Sequence, residues 1–243
     1  MPAPDLAQLR ASGCLTLAVP PRLGGAGLNL RQVACVQRQL AARDPAAALA
    51  LIAHHACVGA AADMLASAAD NTADPGAERL LREAARGRFF ADGRPEEPGG
   101  RPVDPREDAF AAGTFGWELP LAGMTRYAIA RQAFDDAVQR MGRAGANQAA
   151  GQDGPGHPLD QWPVAEAALR LDGIRAQLDA VIGDWRQRTA AGGALTSLDP
   201  GGQWLIRLFT VRHAAAEGAQ RVIELAAQIG EPAESVRPLG PVG

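Results

Sequence analysis

Two long stretches of this sequence space their apolar residues three or four apart, and this pattern constrains the fold more than any other feature. One stretch covers residues 164–185 and the other covers residues 205–229. The apolar positions are Val164, Ala167, Leu171, Ile174, Leu178, Val181 and Trp185, then Leu205, Leu208, Val211, Ala215, Ala219, Val222, Ala226 and Ile229. Such spacing lines one side of a helix, as in the seams of antiparallel bundles. The chain is therefore predicted to contain at least two long helices, each with one buried face.

Start signals predict three more helices in the first half of the chain. Asn29 can cap a helix over 30–43, because its side chain accepts from free backbone N–H groups. The Asp-Pro pair at 44–45 combines such an acceptor with a residue suited to the first helical turn, and predicts a helix over 45–69. The same pair at 74–75 precedes a short helix.

In the second half, Pro120 is expected in the first turn of a helix that reaches Met141. Asp160 is expected to cap the helix that carries the first seam, and Gly230 and Pro232 to end the last helix. No alternating run predicts a strand, and aromatic residues are only 5% of the chain, which is rich in alanine. We therefore predict an all-α fold.

A proline- and glycine-rich tract divides the chain. Residues 91–108 contain four Pro and three Gly among charged residues, which excludes a helix or a central strand there. We predict an N-terminal helical domain over 1–90, a linker over 91–114, and a C-terminal antiparallel helical domain over 115–243.

The predicted helix over 45–69 is long enough to span a membrane, since its first 18 residues carry no charge. Much of it is Ala and Gly, which are weakly apolar, and the pair His54-His55 falls inside it. We expect burial among other helices instead.

No basic and apolar leader is seen at the N-terminus. Cys14, Cys35 and Cys57 are scattered, which favours reduced thiols in the cytoplasm. Cys35 and Cys57 are expected to be core residues.

Composition excludes several kinds of chemistry. The chain has 24 basic residues and no Lys, so all are Arg, and Schiff-base or P-loop lysine chemistry is impossible. The net charge of −3 provides no general attraction for nucleic acid or anionic membranes.

No motif in the sequence defines an active site. The adjacent His54 and His55 point about 100° apart on a helix and cannot bind one metal from one face. Two interpretations of the pair remain: packing in the core, or a contact with a ligand or partner. His157 and His213 are isolated, and no metal site is predicted. The Gly-rich run 24–27 lacks the context of a phosphate loop, and Glu96-Glu97 is expected to be a solvated turn.

Six segments, taken in order, resemble the acyl-CoA dehydrogenase superfamily, including its flavin-monooxygenase-like branch. Their shared order extends across roughly nine tenths of the chain, from residue 12 to residue 230. The segments are SGCLTLAVPPRLGGAGLNL (12–30), ARDPAAALALIAHH (42–55), FFADGRPEEPGG (89–100), and the three predicted helices within 115–141, 160–185 and 207–230. The resemblance implies an FAD-dependent oxidoreductase of acyl thioesters, an acyl-CoA ligand, and self-association through the C-terminal helices. The two seams are consistent with burying a partner, although packing within one chain would produce the same pattern.

The sequence also departs from that family. Only about fifteen residues, 101–115, stand where relatives have a middle β-domain of order 100 residues. Gln228 and Gly230 partly match the flavin-pyrophosphate turn, but Glu231 stands where a Gly is usual. The catalytic segment is expected to be missing, so the catalytic residues are unknown.

Three hypotheses follow. The chain is a truncated acyl-CoA dehydrogenase-like flavoprotein that oxidises CH–CH groups, active or inactive. Alternatively, it is a non-catalytic helical remnant that acts as a dimerisation or partner-binding module. In the third, the deletion left a chain without a stable fold.

Overall fold

The computed structural model describes residues 6–67, 75–90, 109–148, 158–190 and 203–229. Within these ranges all regular structure is helical and no strand occurs, so the all-α prediction is confirmed. The α-helices are α1 (Leu6–Ala11), α2 (Leu30–Arg43), α3 (Pro45–Ser67), α4 (Pro75–Ala85), α5 (Ala109–Gln148), α6 (Pro158–Ala190) and α7 (Gln203–Gln228). Short 3-10 turns lie at Cys14–Thr16 and Pro21–Leu23.

Helices α5, α6 and α7 form a three-helix bundle. Gly116 near the start of α5 lies against Trp185 near the end of α6, so these two helices run antiparallel. Arg207 near the start of α7 pairs with Asp184 near the end of α6, and Arg221 near the end of α7 pairs with Glu166 near the start of α6. Helix α7 is therefore antiparallel to α6 and parallel to α5. Apart from Val164 and Leu205, which are half-buried, every position of the two predicted seams is buried. The seam prediction is thus confirmed in its essentials.

Helices α2 and α3 form a hairpin that packs on α5, and α4 packs on α3. The turn into α2 is a capping box: Gln32 N donates to Asn29 Oδ1 at 3.1 Å, and Asn29 N donates to Gln32 Oε1 at 3.0 Å. At the start of α3, Ala47 N donates to Asp44 Oδ1 at 3.0 Å. Both predicted starts are confirmed.

One apolar core joins the two halves of the chain. It contains buried side chains from α2, α3 and α4 together with those of α5, α6 and α7. Helix α3 meets the length and composition test for a membrane span. Eleven of its residues are nevertheless buried, against α2, α4 and α5. This environment is that of a core helix, because other helices cover its apolar surface.

Two predicted helix starts are wrong. Helix α5 begins at Ala109 rather than near Pro120, which lies inside it. An interior proline costs about 3 kcal/mol, and burial of Trp117 and Leu119 in the preceding turn offsets this loss. Helix α6 begins at Pro158, so Asp160 is its third residue and not its cap. Proline is well suited to the first helical position.

The two helical cysteines differ in environment. Cys57 is buried, as expected, and burial raises the pKa of its thiol to about 12. The prediction for Cys35 is wrong, because this side chain is exposed. Helix α2 buries the side that carries Val33 and Gln37, and Cys35 falls on the opposite side.

Candidate functional site

A carboxylate at the junction of three helices joins the two halves of the chain. Asp63 is the one charged residue of α3. Its Oδ2 accepts hydrogen bonds from Trp117 Nε1 on α5 at 2.7 Å and from Trp185 Nε1 on α6 at 3.0 Å. Burial raises the pKa of Asp63, and the two indole hydrogen bonds oppose this rise in part. Asp63 therefore holds both indoles at fixed positions in the core.

Two glycines give these indoles room. A methyl group on Gly59 would lie 2.2 Å from the Trp117 ring, and one on Gly116 would lie 2.3 Å from the Trp185 ring. Both Trp side chains are almost completely buried. Glycine is required at these positions because the rings rest on the helix backbone.

His54 is a core histidine with both ring nitrogens paired. Phe90 N donates to its Nδ1 at 3.3 Å, so the proton lies on Nε2, which donates to Leu15 O at 2.9 Å. Its ring stacks on Phe89 and Phe90. Burial is the main reason why the pKa of His54 is lowered. His54 thus ties α3 to the loops that follow α1 and α4.

His55 belongs to a second buried network. Its Nε2 lies 2.9 Å from Cys14 O, and its Nδ1 lies 3.1 Å from Gln37 Oε1. Burial lowers its pKa to about 4, so the ring is neutral at pH 7 and donates to one of these oxygens. Gln37 Nε2 in turn donates to Ala48 O and to Thr125 Oγ1 on α5.

These contacts favour the packing interpretation of the two histidines. No cluster of three or more His, Cys, Asp or Glu side chains able to hold a metal occurs in the described part of the chain. His213 is exposed on α7 with Glu217 at 3.2 Å. His157 and the pair Glu96-Glu97 lie outside the described residues.

The Gly-rich run 24–27 forms a compact turn. Gly24 and Gly27 adopt positive φ angles of 92° and 65°, which favour glycine. A methyl group on Gly25 would lie 2.2 Å from Val19 O. These glycines are explained by backbone conformation and close approach.

The residues expected to contact flavin lie at the end of α7. Gln228 is the last residue of that helix and is exposed, while Gly230 lies outside the described residues.

The feature that the sequence analysis missed is the outer face of α6. Trp162 is 69% exposed and Leu169 is 73% exposed, although both are large and apolar. They continue into a line of exposed small residues on the same face. This outer face of α6 consists of Trp162, Ala165, Leu169, Gly173, Ala176 and Ala180.

The spacings along the outer face are again three and four residues, so the side chains form a stripe within about a quarter of the helix circumference. Helix α6 therefore has two apolar faces: one is buried against α5 and α7, and the opposite one is exposed. A shallow groove of about 290 Å³ lies at the N-terminal end of α6 and is lined by Trp162, Glu166, Leu169 and Arg170. The spacing of these residues is visible in the sequence, but the buried seam of the same helix gives the stronger apolar pattern.

Comparisons of this chain with protein-family models, with curated proteins and with solved structures find no match.

Proposed function

We propose that this protein is a helical self-association module, in which the outer face of α6 packs against the same face of a second copy. The exposure of Trp162 and Leu169 at the head of an apolar stripe carries this proposal. Exposed apolar surface of this continuity is typical of protein contacts. The proposal agrees with the self-association that the family resemblance implies.

The stripe is complementary to itself under two-fold symmetry. In an antiparallel pair of α6 helices centred near position 171, each Leu169 faces the Gly173 of the second copy. Each Trp162 likewise faces the Ala180 of the second copy. Large side chains thus meet small ones at both ends, which is the condition for close packing in an isologous interface. A parallel arrangement would place Trp162 beside Trp162 and leave Gly173 beside Gly173.

The size of the stripe sets the strength of the association. From 162 to 180 the helix rises about 27 Å, and a face about 10 Å wide gives roughly 270 Å² per copy. Stable interfaces bury about 800 Å² per partner. We therefore expect a weak dimer whose population depends on protein concentration.

The substitution Gly173→Leu tests the two-fold arrangement. A side chain here meets open space in the monomer, because a methyl group on Gly173 has no atom within 4 Å. Leucine should stabilise the isolated helix by up to about 1 kcal/mol relative to glycine. In the dimer it would collide with Leu169 of the second copy. We expect a higher melting temperature together with weaker dimerisation in sedimentation equilibrium.

Gly142→Leu is the matched control, because Gly142 on α5 also faces open space. It should raise the melting temperature without changing the dimer. Leu169→Ala should weaken the dimer without the gain in stability. A wild-type protein that stays monomeric at every accessible concentration, or dimers of equal strength in all four proteins, would contradict the proposal.

An acyl-CoA dehydrogenase-like flavin oxidoreductase is a second proposal, supported by the order of the resembling segments and by the long α5, α6 and α7. On this proposal the C-terminal bundle is of the acyl-CoA dehydrogenase type, and FAD is held near Gln228 and Gly230. Flavin would supply the hydride acceptor for the acyl thioester.

Flavin binding is tested without assuming a substrate. The purified chain should quench the fluorescence of added FAD in a saturable manner, and Gln228→Ala should reduce its affinity. Gln220→Ala, an exposed residue on the same helix, is the control. A colourless protein that takes up no added FAD removes this proposal and leaves the self-association module standing.

A further inference from the structure

The N-terminal arm, residues 6–16, is attached to the rest of the molecule through an apolar cluster of its own. This arm consists of α1 and the first 3-10 turn. The cluster consists of Leu9 and Leu15 of the arm with Ala47 and Leu51 of α3. The main core begins only after the arm along the chain. The arm can therefore leave α3 while the main core stays intact, as in local unfolding of other proteins.

Two adjacent histidines of α3 hold the arm by hydrogen bonds. His54 Nε2 donates to Leu15 O at 2.9 Å, and His55 Nε2 lies 2.9 Å from Cys14 O. Two consecutive carbonyl groups of the arm thus meet two consecutive side chains of α3. Both histidines are buried, with exposures of 0% and 2%. Departure of the arm would open both rings to water.

The groups that face the two rings are neutral on every side. From α2, Gln37 Oε1 lies 3.1 Å from His55 Nδ1. From the segment after α4, Phe89 and Phe90 stack on His54, and Phe90 N donates to its Nδ1. The nearest titratable partner of each ring is the other ring, with a centroid distance of 5.7 Å. No carboxylate bonds to either ring in the described ranges.

Charged groups on the surrounding elements have partners elsewhere. Arg10 of the arm donates to Gly87 O, Glu83 of α4 pairs with Arg88, and Asp44 caps the start of α3. Asp63 lies about two turns farther along α3, where it accepts from two indoles. A proton taken up by His54 or His55 inside the core would therefore remain without a counter-ion, which is costly.

The two histidines make the attachment of the arm sensitive to pH. Burial is the main reason why the pKa of each ring is lowered, and the bonds to the arm carbonyls oppose this fall in part. For His55 the pKa falls from 6.5 to about 4. Released rings in water regain the ordinary value. The free energy that holds the arm is thus complete above pH 6.5 and is lost as the pH falls from 6.5 towards 4.

We propose that His54 and His55 form a proton-sensitive latch, which holds the N-terminal arm on α3 at neutral pH and releases it in mild acid. Release exposes both rings and the apolar side chains of Ala47 and Leu51. Asp63 responds to acid in the opposite sense, because its pKa is raised and its contribution to stability is complete at low pH. The junction of α3, α5 and α6 therefore persists while the arm leaves. The latch depends neither on the outer face of α6 nor on flavin binding.

The cysteines report the arm, the surface and the core separately. Cys14 belongs to the arm, Cys35 is exposed on α2, and Cys57 is buried on α3. The full chain is treated with a pyridyl disulfide, which labels thiols in acid as well as at neutral pH, and peptide mass spectrometry gives each rate. Between pH 7 and pH 5 the Cys14 rate divided by the Cys35 rate should rise, by up to about twentyfold for His55 alone. Cys57 should stay protected.

Glutamine substitutions remove the proton sites and keep an amide donor for the same carbonyl groups. His54→Gln and His55→Gln should each reduce the rise in the Cys14 ratio, and the double substitution should abolish it. His213→Gln is the control, because His213 is exposed on α7, and it should respond like the wild type. Asp63→Asn should also keep the rise, since Asp63 does not contact the arm.

Three results overturn the latch. The first is a Cys14 ratio in the wild type that does not change with pH. The second is labelling of Cys57 together with Cys14, because the whole chain then unfolds. The third is an unchanged rise in the folded double variant. If that variant does not fold, amide hydrogen exchange of the wild type decides: relative to intrinsic rates, residues 6–16 should lose protection at pH 5 and α7 should not, and equal behaviour of the two refutes the latch.

Discussion

Asp63→Leu is expected to lower the free energy of unfolding by about 2–4 kcal/mol. The substitution removes the acceptor that both Trp117 Nε1 and Trp185 Nε1 share. Each buried N–H that loses its partner costs about 1–3 kcal/mol. Burial of the leucine side chain and the loss of a buried charge recover part of this cost. Urea unfolding followed by the circular dichroism of the helices measures the difference.

Asp63→Asn is the matched comparison, because the amide oxygen can still accept from both indoles. The pKa of Asp63 is raised in the folded protein. Its contribution to stability is therefore complete below the pKa of the unfolded chain and is lost as the pH rises through the folded pKa. Asparagine has no such dependence, so Asp63→Asn should gain stability relative to the wild type between pH 4 and pH 7. A constant difference over that range, or a harmless Asp63→Leu, would refute the role assigned to this carboxylate.

The helices themselves were largely predictable from the sequence. The seam of α6 and the Asn29 cap of α2 follow from local rules of spacing and backbone hydrogen bonding, and both predictions are confirmed. Pro120 misled the prediction of α5, because packing of residues far away in the sequence outweighs the local preference of proline. Cys35 was misplaced because its residue type was taken to indicate burial, although the spacing of Val33 and Gln37 puts it on the opposite side of α2.

The polar contacts of the core were not predictable, because they join residues far apart in the chain. Asp63 and Trp185 are 122 positions apart, and nothing in the sequence pairs them. The buried network of His55 and Gln37 depends on how α2 and α3 pack on α5. The outer face of α6 has a local spacing signal, but only the structure shows which of its two apolar faces is covered.

Gly59→Ala is expected to destabilise the protein by about 1–3 kcal/mol or more, although alanine is the better helix former. The added methyl group would lie 2.2–2.4 Å from three atoms of the Trp117 ring. The ring cannot move away easily, because the surrounding core is closely packed and its Nε1 is bonded to Asp63. Helix α3 would have to shift away from α5, and that shift would also strain the contact between Asp63 and Trp185.

Gly142→Ala is the control for this substitution, since Gly142 lies in a helix and meets open space. It should gain up to about 1 kcal/mol, so the two alanines should change the unfolding free energy in opposite directions. The double variant Gly59→Ala with Trp117→Phe removes part of the ring that the methyl group meets. It should cost less than the sum of its two single substitutions, because the clash and the indole share one space. Strict additivity would show that the helix, and not the indole, sets the requirement for glycine.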